Sequence, residues 1–245
     1  GKSLHSMHSY FLRPIDIGRE VRYEVEVLRD GRGYSTRQVR AFQNEKPVYV
    51  CLASFAAGEP GSTYAADLPA GLPSPDLLPS SADYLADRSG GTMTPESQAY
   101  WSGGRSFDMR HVPGPVYLAV DGRRTPHQAV WLRPFDTLRP VDGLTDAQRD
   151  AAALAYVCDY TILEPVLRVL GLAWADSGLV TASLDHAMWF HRHGPIDGWV
   201  LYTQEAVAAE DGRGVATGRL FGTDGAHLAT VVQEGLIRTS PGATQ

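Results

Sequence analysis

Cysteine is all but absent. The chain has two in 245 residues, Cys51 and Cys158, each inside an apolar run and far from the other. A disulfide framework is thereby excluded, and buried free thiols are the expectation. Long apolar runs are missing too. The longest, 151–158, falls well short of the ~20 residues a membrane-spanning helix needs, so no membrane span is expected. Basic clusters are also lacking: 22 Lys and Arg against 28 Asp and Glu give a net charge of −6. Nothing here could track a phosphate backbone, and no nucleic-acid partner is expected.

Two catalytic signatures are absent as well. There is no G-x-S-x-G elbow for a serine hydrolase. The glycines of the two DGRG segments, 30–33 and 211–214, lie between two strands and not between a strand and a helix, so they read as turns, not as a nucleotide cradle. The three histidines of SLDHAMWFHRHGPIDGWVLY (183–202) divide between the faces of a strand and have no thiolate nearby in sequence. No metal site and no cofactor are expected. The 43% hydrophobic content describes a globular chain with a real core, one large domain or two small ones, and a cytoplasmic location is the expectation.

What is present is mostly β pattern. Val21, Tyr23, Val25 and Val27 alternate with Arg22, Glu24 and Glu26, which predicts a half-buried strand. Asp30-Gly31 marks a tight turn, and a second at Asn44-Glu45 leads into the apolar 48–55. From 58 to 104 the composition shifts to Pro, Ser, Gly and Ala, a linker with a short helix near 82–87. Strands resume at 107–111 and 128–133. One strong helix is predicted over 145–170, with Thr145 as N-cap, Gln148 three residues on and Gly171 as the stop. Four further strands are predicted near 179–191, 199–208, 215–221 and 228–238.

The last block echoes the first. YFLRP (10–14) resembles WFHRH (189–193), DGRG recurs, and VYVCLASF and LATVVQEGLI occupy matching places, so an internal duplication is the economical account. The expected division is a first unit at 1–57, a linker at 58–104, a second unit at 105–240 and a tail at 241–245. The first copy lacks a helix to cover its strands, which predicts an N-terminally incomplete unit. Open sheet edges and an uncovered apolar face predict a homo-oligomer.

Three polar residues break their local pattern. Asp159 lies in the middle of the predicted helix among apolar neighbours, where a buried carboxylate is costly unless something uses it. Gln233 interrupts the inward row Ala229, Val231, Gly235, Ile237 of the last strand. Ser183 opens the quoted strand, and alone it means little. Glu164, with Arg168 at i+4, reads as half of a surface ion pair.

HSYFLRP, VLRDGRGYSTRQVRAFQ, ASF, LDHAMWFHR and VVQEGLIR, taken together, resemble the acyl-CoA thioesterase II family. The resemblance implies an α+β double hot-dog fold: antiparallel sheet wrapped around a long helix, in two tandem copies. It implies hydrolysis of a fatty acyl-CoA to fatty acid and coenzyme A, with acyl-CoA as the partner molecule. By motif, the family's water-holding aspartate, hydroxyl and glutamine fall on Asp159, Ser183 and Gln233. The family's hydroxyl is more often threonine, so Ser183 is a departure. Asp185, on Ser183's face by alternation, is the reserve acid. CoA-binding residues are not assigned by this reading. The alternatives are a non-catalytic acyl-CoA binding protein and a hot-dog enoyl-CoA hydratase working through Asp185 and His186.

Overall fold

A computed structural model describes residues 1–86, 88 and 93–239; the expected tail at 241–245 lies outside them. Its strands are hairpins closed by turns that sequence chemistry dictates. Asn44 and Glu45 (φ 51° and 58°) and Asp211 and Gly212 (φ 51° and 72°) take the left-handed conformations that match the twist of flanking strands. Asp30-Gly31 closes a third, where Gly31 N–H donates to Tyr34 O.

The first half contributes β1 (Ser3–Phe11), β2 (Arg22–Asp30), β3 (Tyr34–Gln43) and β4 (Lys46–Ala56). Next come two short helices, α1 (Ser81–Ala86) and α2 (Pro95–Ala99), followed by β5 (Phe107–Val112) and β6 (His127–Pro134). The segment expected as a linker is thus partly structured, and Tyr84 and Leu85 of α1 are buried against Tyr117. Helices α3 (Asp146–Cys158) and α4 (Glu164–Leu170) precede β7 (Val180–Ser183), β8 (Asp185–Phe190), β9 (Val200–Glu210), β10 (Arg213–Gly222) and β11 (His227–Arg238).

One antiparallel sheet runs β2-β3-β4-β1-β8-β11-β10-β9-β6-β5, with β7 also on β11. The quoted stretch contributes its seam: β8 joins the halves by pairing with β1. If Tyr10 aligns with Trp189, then Ser6 aligns with Asp185. The seam ladder pairs Ser6 with Trp189 and Tyr10 with Asp185, the reciprocal exchange that a two-fold relation between duplicated units requires.

The main core lies in the second half. Val157 of α3 and Val166 and Leu167 of α4 pack against Val130, Met188 and Val231 of the sheet, all essentially inaccessible. Burying such side chains contributes on the order of 1.5–3 kcal/mol each. The first half differs. Tyr23, Val25 and Val27 of β2 are 65%, 63% and 58% exposed, so the strand expected to be half-buried is open on this chain. Among the described residues, no helix is long and apolar enough to cross a membrane.

Candidate active site

Asp159 stands where α3 ends. Thr145 opens that helix with a capping box to Gln148, as its sequence predicts, and Gly171 (φ 76°) closes α4. Pro165 divides what was expected as one helix. It has no N–H, and its ring would strike the carbonyl four residues back, so the chain turns at 159–163 and restarts with Pro165 in the first turn of α4. Asp159 is therefore the C-cap of α3, an exposed residue and not a buried carboxylate in mid-helix.

Ser183 reaches the same place from the sheet. Ser183 pairs with Gly235 and Ala187 with Val232, so one extra residue is inserted on the β7–β8 side, a β-bulge at 184–185. The bulge shifts the alternation by one. Ser183 and His186 end up beside Gln233, whereas simple alternation had grouped Ser183 with Asp185. Asp185 instead accepts from the Glu234 N–H at 2.7 Å, which satisfies a backbone donor beside the bulge. The reserve acid is occupied structurally, and it does not share a site with His186 as a hydratase pair would.

Gln233 is completely buried on β11 and connects the group. Its Nε2 donates to Asp159 Oδ1 at 2.8 Å and to Ser183 Oγ at 2.9 Å. Ser183 Oγ–H donates to the same Asp159 Oδ1 at 2.7 Å. The three residues that broke the sequence pattern thus form one closed set. Both amide protons are used, and Oδ1 receives two donors, while no side chain among the described residues bonds Asp159 Oδ2. His186, which the sequence reading had not linked to the trio, donates from Nδ1 to Gln233 Oε1 at 2.5 Å. Only the bulge makes that link, and alternation alone could not have found it.

Asp159 and Ser183 border a largely apolar cavity of about 1150 Å³ between the halves, with Gln233 buried behind them. Its walls include Leu4 and Met7 of β1, Tyr49 of β4, Ala151 and Ala155 of α3, and Phe190 of β8. Asp159, Ser183 and His186 supply polar groups along it. The equivalent place in the first copy has Ser54, whose Oγ lies 2.9 Å from His5 Nε2, and no carboxylate–amide pair.

Beneath the turn, Glu164 and Arg168 overturn a second expectation. Both are completely buried, and Gln128 stands between them: its Nε2 donates to Glu164 Oε2 at 2.6 Å, and its Oε1 accepts from Arg168 Nε at 3.1 Å. His111 and Trp174 also bond Glu164. Burial pushes this carboxyl up, but the His111 ring and the bonds from His111, Trp174 and Gln128 together hold it below the ordinary range. The i,i+4 spacing is that of a surface pair, but the turn at 159–163 rotates α4 so that this face meets the sheet. Both cysteines are free and buried, and desolvation raises the pKa of the Cys158 thiol. Among the described residues, no three of His, Cys, Asp and Glu converge to hold a metal ion.

Comparison with known proteins gives the family. The chain matches the family models for the acyl-CoA thioesterase N-terminal domain over residues 1–56 and the acyl-CoA thioesterase C-terminal domain over residues 79–237. It is 33% identical to human acyl-coenzyme A thioesterase 8, covering 97% of this chain and 74% of that protein. The chain belongs to the acyl-CoA thioesterase II family. Acyl-CoA thioesterase 2 of Haemophilus influenzae is 31% identical, over 97% of this chain and 80% of its own length. Among solved structures, the acyl-CoA thioesterase II of Mycobacterium marinum superposes with a TM-score of 0.76 at 32% identity, covering 98% of this chain and 82% of that one. A hot-dog protein from Alicyclobacillus acidocaldarius superposes at TM-score 0.72 with 17% identity, a likeness of fold. The double hot-dog architecture expected of this thioesterase family is the one observed.

Proposed function

We propose that this chain hydrolyses fatty acyl-CoA thioesters to the free acid and coenzyme A, with Asp159 as the base and Ser183 and Gln233 as its supports. One observation carries the reading: the three residues are bonded to one another, and two of them, Asp159 and Ser183, line an apolar cavity large enough for an acyl chain. Asp159 Oδ1 is occupied by two donors, so Oδ2 is the oxygen open to a water. A water that donates to Oδ2 and to the remaining lone pair of Ser183 Oγ turns its own lone pair toward a thioester carbonyl.

As the C–O bond forms, Asp159 takes the water's proton. Collapse of the tetrahedral intermediate breaks the C–S bond, and that proton goes to the departing thiolate. The sum is acyl-CoA plus water to fatty acid plus free thiol, with no covalent enzyme intermediate. Gln233 acts on the carboxylate and the hydroxyl, since its amide protons are already committed to them.

The catalytic set belongs to the second unit, 105–240, and the first unit, 1–57, supplies one wall of the cavity. The same reading makes the protein cytoplasmic, in keeping with two unpaired buried thiols. It also makes the protein self-associating through the open face of β2. Release of free thiol from short, medium and long acyl-CoA is the deciding assay. If none is hydrolysed while acyl-CoA still binds, the chain is a binding protein and the hydrolase reading fails.

A further inference from the structure

We propose that His186 is a positioning residue for the hydrolysis, fixing which way the Gln233 amide faces; this rests on the reading of Gln233 given above. An amide can present either end to a neighbour, and the two ends have opposite consequences beside Asp159. With Nε2 toward the carboxylate, Gln233 donates to Asp159 Oδ1 and Ser183 Oγ. Turned over, its carbonyl oxygen would face a carboxylate oxygen, and both donors would be lost. As the Nδ1–H tautomer, His186 can only donate at this atom, so it bonds Gln233 Oε1, would oppose the amide nitrogen, and favours the first arrangement.

The backbone that carries the imidazole is held from the other half of the molecule. His186 is 4% exposed and faces Ser9 across the seam ladder, and Ser9 Oγ–H donates to its backbone carbonyl at 2.9 Å. Among the described residues His186 Nε2 is buried with no hydrogen-bond partner, and the residue lines the cavity. Packing alone would be served by an apolar side chain of that size. What the imidazole adds is a single N–H aimed at Gln233, and this ties the orientation of the Gln233 amide to the join between the two units.

The choice of replacement separates this role from simple packing. Asparagine can put an N–H where Nδ1 lies, glutamine carries its amide one bond further out, and leucine has no donor. Expected for His186→Leu and His186→Gln is a roughly tenfold fall in kcat, the scale of one hydrogen bond, with KM little changed. His186→Asn restores most of the loss. In a Gln233→Ala background, His186→Leu costs nothing further, because the histidine acts only through that amide. Amide-proton NMR gives a readout independent of turnover: the Gln233 side-chain NH₂ signals shift and exchange faster in His186→Leu and recover in His186→Asn.

Two results would overturn the inference while leaving the hydrolase reading intact: wild-type kcat in a folded His186→Leu, or an equal loss for leucine and asparagine. If the wild type releases no thiol from any acyl-CoA, the hydrolase reading fails instead. The NMR comparison then decides whether His186 orients the amide at all, and unchanged Gln233 signals in His186→Leu overturn that.

Discussion

Gln233 Nε2 lies 2.8 Å from Asp159 Oδ1 although 74 residues separate them in the chain. A missing side chain two residues further along β11 permits the approach. A Cβ placed on Gly235 would lie 2.4 Å from Leu163 Cδ1 and 3.1 Å from its Cγ, so a side chain there would force the buried Leu163 to shift. Gly235→Ala is therefore expected to push the turn, and Asp159 with it, away from Gln233. Overpacking of this kind costs about 1–3 kcal/mol of stability. A displaced base should lower kcat by tenfold or more. Adding Leu163→Val makes room and should recover part of both losses; steady-state kinetics with urea unfolding of the single and double variants tests this.

Asp185 provides the contrast. Its carboxylate accepts a backbone N–H at the bulge, so Asp185→Asn keeps an acceptor in place and should leave kcat within a few-fold of wild type. Its cost is in stability, on the order of 1 kcal/mol for weakening a charge-assisted bond. If Asp185→Asn turns out to be the inactive variant and Asp159→Asn the active one, the two roles are exchanged.

The difference between these two aspartates marks the limit of what sequence shows. Strand and turn chemistry, the capping box at Thr145 and the Gly171 stop are local, and the structure reproduces them. Asp159, Ser183 and Gln233 were identified by motif and by their misfit to apolar patterns, signals that survive without coordinates. The bulge at 184–185 is a property of pairing, since it depends on how many residues β11 places opposite, and strict alternation therefore assigned Asp185 where His186 belongs. The break before α4 was legible in principle from Pro165. Weighted as a helix end, it would have moved Asp159 from mid-helix to a cap and turned Glu164 inward. The exposure of β2 is different again, because alternation predicts which residues share a face but not what covers it.

Glu164 should be one of the main electrostatic contributors to stability. Glu164→Gln leaves the buried donors of His111, Trp174 and Gln128 without their charged acceptor, and breaking such a network costs about 3 kcal/mol or more. Its carboxyl is held below the ordinary value in the folded state. The associated stability is therefore fully present above the unfolded value of about 4.3 and is lost as pH falls from there toward the lower folded value. The gap between wild type and Glu164→Gln in urea midpoint should be constant near neutrality and narrow below about pH 4.3. A gap that widens on acidification would contradict the assignment.

Self-association should depend on β2. Tyr23, Val25 and Val27 lie on an edge strand with open backbone groups, a combination that folded proteins normally bury or pair. Sedimentation at micromolar concentration should show an oligomer in the wild type, and Val25→Lys together with Val27→Glu should shift it toward monomer. A wild type that sediments only as monomer would remove the motive for this interface.

The substitution series at the site is the sharpest test of the chemistry. If Asp159 accepts the water's proton, Asp159→Asn removes the acceptor while keeping the shape, and kcat should fall on the order of a hundredfold or more with acyl-CoA binding retained. Ser183→Ala removes a bond to the carboxylate and one acceptor for the water, and Gln233→Ala removes a bond to the carboxylate, but neither removes the base itself, so each should cost less, roughly tenfold. Ser183→Thr keeps the hydroxyl and should stay close to wild type. Because Gln233 acts through Asp159 Oδ1 and Ser183 holds the water only together with that carboxylate, adding either alanine to Asp159→Asn should cost little more, the non-additivity of groups working as a unit. Fully additive losses would mean that Ser183 or Gln233 supports the reaction without Asp159. A near-normal kcat in Asp159→Asn would mean that the proton goes elsewhere, and the hydrogen-bonded set around Gln233 would then be structural.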